Sequence, residues 1–153
     1  MANMNNRRAF LDMIAWSEGT STIAESDNGY NVLVGGKLFF TYNDHPRQLV
    51  VINSKLKSTA AGRYQLLARY FDHYKKLLKL PDFSASSQDA IAIQQIKECK
   101  ALNDIDEGNI EFAVKKCSNI WASFPGNNYG QHQQKISALL AIYTEAGGEV
   151  KSS

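Results

Sequence analysis

The apolar residues of this chain change period twice, and that change constrains its fold more than any other feature. Near the start, Ala9, Phe10, Met13 and Ile14 recur at helical spacing behind Asn5 or Asn6, either of which can cap a helix. The pattern predicts a helix to about Ser17 or Glu18, where Gly19 can take the left-handed conformation that ends many helices. Residues 20–29, rich in Ser, Thr, Asp, Asn and Gly, read as a loop. From Tyr30 the period becomes two. Tyr30, Val32 and Val34 alternate, Gly35-Gly36 suits a two-residue turn, and Leu38, Phe40 and Tyr42 alternate on the way back. Residues 49–52 add a third short strand.

Helical spacing then returns. Tyr64, Leu67, Phe71, Tyr74 and Leu78 step by three and four until Pro81 stops the run. Ser86 or Ser87 opens the next helix, which carries Ala90, Ile93, Ile96 and Lys97, and Gly108 separates it from Ile110, Ala113, Val114 and Cys117. A final helix bears Ile136, Leu139, Leu140 and Tyr143 and closes at Gly147-Gly148. One helix, a small antiparallel sheet and a mostly helical remainder make an α+β architecture. Its 153 residues fit one domain, expected to span 1–153.

Composition narrows the class. Apolar residues make up 44% and charged residues 21%, which excludes a disordered or fibrous chain. Two cysteines, Cys99 and Cys117, are too few for a disulfide scaffold and read as core thiols. No stretch approaches the ~20 apolar residues a membrane span needs, so no stable membrane insertion is expected. Residues 1–8 lead into an apolar segment interrupted by Asp12 and Glu18, without the apolar core and cleavage site of a signal peptide. The expectation is a chain made in the cytosol with no export signal of its own.

The net charge of +2 hides an uneven distribution. Between His45 and Leu80, eight basic residues (Arg47, Lys55, Lys57, Arg63, Arg69, Lys75, Lys76 and Lys79) face only Asp72, a local net of +7, and the remainder carries −5. Such a segment can mark a polyanion-binding surface or the solvated face of a helix. No zinc motif, basic heptad region or aromatic RNA-binding motif supports nucleic acid as the partner.

Among candidate chemical groups, Glu18 lies in the predicted last turn of a helix, two residues after Trp16. The negative end of the helix dipole and apolar surroundings would both raise its pKa, as a general acid requires. An exposed glutamate at a frayed helix end fits the same spacing, so spacing alone does not single it out. Asp44 beside His45 could orient an imidazole or bind a hydroxyl, although adjacent side chains point apart. His45, His73 and His132 have no paired spacing for a metal, so neither metal nor cofactor is expected. There is no Gly-x-Ser-x-Gly, and Gly35-Gly36-Lys37 lacks the phosphate-loop spacing. Trp16, Tyr30, Tyr42, Trp121, Phe124 and Tyr129 fall on or beside predicted loops, near Asn, Gln and Asp. Such rings and amides suit a polysaccharide groove, and core packing uses the same rings.

Seven blocks in order carry a resemblance over roughly residues 5–148. They are Ala9-Phe10-Leu11-Asp12-Met13, Ala15-Trp16-Ser17-Glu18-Gly19-Thr20, Val34-Gly35-Gly36, and Asp44-His45-Pro46-Arg47. Lys55-Leu56-Lys57-Ser58-Thr59, Ala61-Gly62-Arg63-Tyr64-Gln65-Leu66-Leu67, and Cys117-Ser118-Asn119-Ile120-Trp121-Ala122-Ser123 follow. On these blocks the chain resembles the lambda-type phage endolysins, a family of peptidoglycan lytic transglycosylases. The resemblance implies a lysozyme-like fold in which a saccharide cleft separates a mostly helical lobe from a small sheet lobe. It implies that Glu18 is the catalytic acid, and that Gln65 lines the cleft in its Gly-x-Tyr-Gln segment. Tyr42, Asp44, His45, Tyr64 and Tyr129 are the further candidates for substrate binding, and the family's two mobile lips fall at about residues 50–56 and 124–135.

The implied activity cleaves the bond between N-acetylmuramic acid and N-acetylglucosamine, leaving 1,6-anhydromuramic acid ends. The alternatives are a hydrolytic muramidase, which would need a second carboxylate, and a basic polyanion-binding module. The implied partner is the peptidoglycan glycan strand, and a holin would open the host membrane to a monomeric enzyme held in the cytoplasm until then. The chain departs from the family pattern in a shorter 20–29 loop, and in Asn31 and Thr41, which stand where relatives carry acids. Asp27 or Asp44 could serve instead.

Overall fold

The computed structural model describes residues 1–127, 129 and 132–151. Along these residues run α1 (Met4–Glu18), β1 (Val50–Asn53), β2 (Leu56–Ser58), α2 (Ala68–Leu78), α3 (Ala85–Glu98), α4 (Leu102–Glu107), α5 (Ile110–Cys117) and α6 (Ile136–Glu145). The α+β expectation holds. The chain divides into two compact units, Met1–Glu18 with the chain from Ala92 onward, and Gly19–Ile91; α3 contributes to both.

The first unit is helical. α1 packs against α6 and α4, and α5 against α4 and α6. Phe10, Met13 and Ile14 from α1 are fully buried, as are Ile105, Leu139 and Tyr143. The cap of α1 is Asn3, whose side-chain oxygen accepts the Asn6 N–H at 3.1 Å. Asn6, a predicted cap, is instead buried inside the unit. Its Nδ2 donates to the Ile105 carbonyl at 2.8 Å, and its Oδ1 accepts the Glu149 N–H at 3.0 Å. Arg7 makes a two-pronged ion pair with Asp106, both contacts 2.8 Å. The expected single helix up to Gly108 is broken after Glu98. Lys100 takes a left-handed conformation (φ 60°), and the Ala101 N–H closes back on the Ile96 carbonyl at 3.1 Å.

The second unit holds the sheet, which is smaller than expected. β1 and β2 pair antiparallel, Val50 opposite Ser58, and the predicted strand at 49–52 corresponds to β1. The predicted hairpin over 30–42 is reduced to one bridge, Val32 with Leu38. Its turn does fall at Gly35-Gly36, at φ 90° and 98°. The strands fail to extend because the Tyr30 and Val32 amides close tight turns onto the carbonyls of Asp27 and Gly29. The free edge of this segment pairs with residues 60–62 instead: Val34 N–H donates to Ala60 and Gly62 N–H to Val32. α2 starts at Ala68, four residues after the expected Tyr64. A turn bridged by Ala61 and Leu66 occupies the interval, and Gly62 and Gln65 within it both have positive φ. Leu33, Phe39, Ala61, Leu66, Phe71, Tyr74, Phe83 and Ile91 form the core beneath it.

Candidate active site

In the first unit Glu18 is the last residue of α1, and Gly19 turns the chain away at φ 76°. Placed there, the carboxylate meets the carbonyl end of the helix, which disfavours its charge. The residue is half-buried, and burial raises the carboxyl above the usual carboxylate range, with Ser123 pulling partly the other way. The Ser123 hydroxyl donates to Glu18 Oε2 at 2.5 Å, and Ser17 Oγ lies 2.7 Å from Ser123 Oγ.

Ser123 sits in a loop that leaves little freedom. Its neighbours Trp121 and Phe124 are buried, and Phe124 meets Phe10 edge-on at 6.2 Å. The Asn127 amide shares its two hydrogens among three carbonyls, Ser118, Ala122 and Phe124, and the Gln134 N–H donates to the Ser123 carbonyl at 2.7 Å. Tyr129 is 54% exposed, its hydroxyl donating to the Asn119 carbonyl at 2.9 Å. The lip expected at 124–135 includes Asn128, Gly130 and Gln131, which lie outside the described residues.

In the second unit the predicted residues divide by burial. Gln65 lies half-buried at φ 53°, and its side-chain Nε2 donates to the carbonyls of Gly62 (2.9 Å) and Val32 (3.2 Å). Tyr64 is only 5% exposed and donates to Asp89 at 2.6 Å, a carboxylate that also accepts the Tyr30 hydroxyl. Arg63 packs its guanidinium over the Tyr30 and Tyr64 rings and donates to the Asn28 carbonyl at 3.0 Å. Burial and the Asp89 charge push the Tyr64 hydroxyl well above the ordinary tyrosine range.

His45 is 2% exposed. Its Nδ1 accepts the Arg47 N–H at 2.9 Å, which leaves Nε2 to donate to the Leu66 carbonyl at 2.7 Å. That pairing fixes the neutral Nε2–H tautomer, and burial lowers its pKa accordingly. The ring packs against Phe83 and Phe71. Asp44 is drawn to Arg47, which also holds Asp72, and the guanidinium keeps the Asp44 carboxyl below its usual range. Tyr42 donates to Asp27 at 2.7 Å. Asn31 accepts the Asp27 N–H and Thr41 the Asn43 N–H, so both are engaged in local turns. Among the described residues no group of three or more His, Cys, Asp or Glu could hold a metal, and no helix is long and apolar enough to cross a membrane.

Sequence reasoning missed Ser123 as the partner of Glu18 and Ser17 as the partner of Ser123. Ser123 is 105 residues from Glu18, so no local pattern links them. It also missed Asp89 and Gln88, which hold the Arg63–Gln65 turn from the start of α3.

The endolysin family profile matches residues 8–150. The chain belongs to the endolysin family. It is 58% identical to the endolysin of Escherichia phage lambda, covering 99% of this chain and 98% of that protein. It is 48% identical to the endolysin of Escherichia phage P2, covering 94% and 93%. The fold matches bacteriophage lambda lysozyme complexed with a chitohexasaccharide at a TM-score of 0.94, with 57% identity over 99% of this chain and 100% of that one. A second structure of bacteriophage lambda lysozyme matches at 0.90, with 56% identity. This endolysin therefore has a lysozyme-like α+β fold, as the resemblance implied.

Proposed function

We propose that this endolysin cleaves the linkage between N-acetylmuramic acid and N-acetylglucosamine in peptidoglycan by lytic transglycosylation, lysing the bacterial host. The observation that carries the reading is Glu18: a carboxyl at a helix C-terminus, raised by burial, with one oxygen held by a serine hydroxyl. A carboxyl so placed keeps its proton closer to neutral pH and is suited to general acid catalysis. Protonated Glu18 delivers its proton to the glycosidic oxygen as the bond from that oxygen to C1 of the muramic acid breaks. The resulting carboxylate takes the proton of the muramic acid C6 hydroxyl, whose oxygen bonds to C1 and closes the anhydro ring. No water is consumed, and the nucleophile is already part of the substrate, so a high effective concentration replaces a second carboxylate. Asn31 and Thr41, which stand where the resemblance places acids in relatives, fit a one-carboxylate mechanism.

In this reading Glu18 is the sole catalytic residue, and the whole chain acts as one catalytic domain. Gln65, Tyr42, Asp44 and Tyr129 bind glycan, and His45 and Tyr64, also expected to bind it, are buried and hold the turns that carry Asp44 and Gln65. The chitohexasaccharide bound by lambda lysozyme supports a glycan substrate. The enzyme acts as a monomer, reaching the wall from the host cytoplasm once a holin has opened the membrane. Mass spectrometry of digested peptidoglycan tests the chemistry: anhydro ends are expected, and products heavier by one water would establish hydrolysis instead. Full lytic activity in Glu18→Gln would remove Glu18 from the mechanism.

A further inference from the structure

With Glu18 ionised, the hydrogen-bond chain behind it has a direction, and the direction bears on where the acid takes up its proton. A serine hydroxyl carries one hydrogen. Ser123 gives its hydrogen to Glu18 Oε2, so the hydrogen in the 2.7 Å contact between the serines comes from Ser17. The chain runs Ser17 to Ser123 to Glu18. We infer that Ser123, directed by Ser17, is a positioning residue that keeps the transferable proton of Glu18 on Oε1. The inference rests on the reading of Glu18 as the acid.

Two directions are open to such a chain, and they leave the proton in different places. In the direction that the ionised carboxylate sets, Oε2 accepts, and the oxygen of a carboxylic acid that accepts well is its carbonyl oxygen. The proton then resides on Oε1, outside the serine chain, where a glycosidic oxygen can receive it. In the opposite direction Glu18 would carry its proton on Oε2 and donate it to Ser123, which would donate to Ser17. The proton would then lie inside an internal hydrogen bond and could not be delivered. Reversal would also take from Ser17, only 5% exposed, the acceptor its hydrogen has in Ser123. Loss of a buried hydroxyl's acceptor is unfavourable.

Ser123 can impose the direction because the loop holds it. Buried Trp121 and Phe124 flank it, and the Asn127 amide binds the backbone on both sides of it, at Ala122 and Phe124. Ser17 is carried by the last turn of the same helix as Glu18, so the two donors approach from rigid supports.

The test compares wild type with Ser123→Ala, Ser123→Thr and Ser17→Ala. Carbon NMR of protein labelled at the glutamate side-chain carboxyl, assigned with Glu18→Gln, reads the Glu18 titration without any activity. Release of muropeptides from purified peptidoglycan gives kcat against pH. In Ser123→Ala the Glu18 midpoint rises by about one pH unit, the size expected from losing a hydrogen bond to a charged acceptor. In Ser17→Ala it rises by less, and Ser123→Thr returns it to the wild-type value. With the proton shared between two equivalent oxygens and the carboxyl no longer anchored, kcat of Ser123→Ala falls about twofold or more, and its basic limb moves with the NMR midpoint. A merely structural serine would lower activity without moving that limb.

A Glu18 midpoint that stays fixed or falls in Ser123→Ala overturns the inference. Should Ser123→Ala unfold, Ser17→Ala decides: an unchanged midpoint overturns it and a raised one supports it. Full activity in Glu18→Gln would defeat the acid reading separately, because the NMR midpoints do not depend on catalysis.

Discussion

Replacing Gly62 with alanine tests the turn that presents Gln65. Gly62 sits at φ 87°, and a Cβ there would lie 2.4 Å from Gln88 Oε1 and 2.8 Å from Phe83 Cζ. The left-handed conformation alone costs a non-glycine residue about 1–2 kcal/mol. Crowding against Phe83, which has no exposed surface, adds about 1–3 kcal/mol. The larger consequence runs through Gln88, whose Oε1 accepts the buried Arg63 N–H at 2.9 Å and whose Nε2 donates to the Phe83 and Tyr30 carbonyls. Pushing that amide aside leaves the Arg63 N–H unsatisfied, at about 1–3 kcal/mol. The sum, about 5 kcal/mol, rivals the lower end of a whole domain's stability.

Urea unfolding at neutral pH measures the loss, with Gln88→Ala and the double variant completing a cycle. Gln88→Ala forfeits the same hydrogen bonds but removes the obstacle. The double variant should therefore be more stable than the sum of the single losses predicts, by about 1 kcal/mol or more. A Gly62→Ala protein within about 1 kcal/mol of wild type would refute the reasoning. So would a cycle additive to within about 0.5 kcal/mol.

Glu18→Gln should abolish lysis and stabilise the fold. Burial raises the folded carboxyl above its unfolded value, so its favourable contribution is complete below the unfolded pKa and is lost as pH rises through the folded one. Thermal unfolding should show the two proteins matched near pH 3. At pH 7 the variant should lead by about 1.4 kcal/mol for every tenfold by which folding weakens the acid; a variant less stable at pH 7 would contradict this. Neutralising Lys75, Lys76 and Lys79 should weaken sedimentation with purified walls at low salt, with the difference vanishing near 1 M where the Debye length is about 3 Å. Unchanged binding would make that charge only a solvated face of α2. Under native conditions a thiol reagent should modify half-buried Cys99, whereas Cys117, fully buried and with its thiol pushed up by burial, should react only on unfolding. Equal rates for the two would contradict the burial.

The fold was legible wherever a single segment's pattern matched a single buried face. α1 and α6 fell where the apolar spacing put them, because the residues that set the spacing are the ones buried: Phe10, Met13 and Ile14 in α1, Leu139 and Tyr143 in α6. The hairpin over 30–42 misled because alternation reports which side chains can share a face, not where backbone amides bond. Those of Tyr30 and Val32 close turns rather than a ladder. The start of α2 was misplaced for a related reason: Tyr64 keeps the helical spacing, yet the positive φ at Gly62 and Gln65 makes that stretch a turn. β2 gave no apolar signal, since Leu56 and Lys57 are exposed and pairing with β1 is mainly a backbone matter.

Glu18 was legible as a candidate acid and its environment was not, and chain topology explains both. Everything that marks Glu18 locally, a helix ending and the glycine after it, lies within a few residues and can be read from them. The hydroxyl that partly opposes the effect of burial, on Ser123, comes from the other end of the first unit, because that unit joins residues 1–18 to the chain from Ala92 onward. Closing so long an intervening segment costs conformational entropy before any contact forms, so the loop bearing Ser123 must be held by more than one bond to place its hydroxyl. Asn127 with its three carbonyl acceptors, the Gln134 N–H on Ser123 and the buried pair Trp121 and Phe124 supply that restraint. The same restraint explains why one serine suffices. A mobile donor would follow the carboxylate through either proton arrangement, whereas a fixed one favours a single arrangement, the one that the proposed mechanism uses.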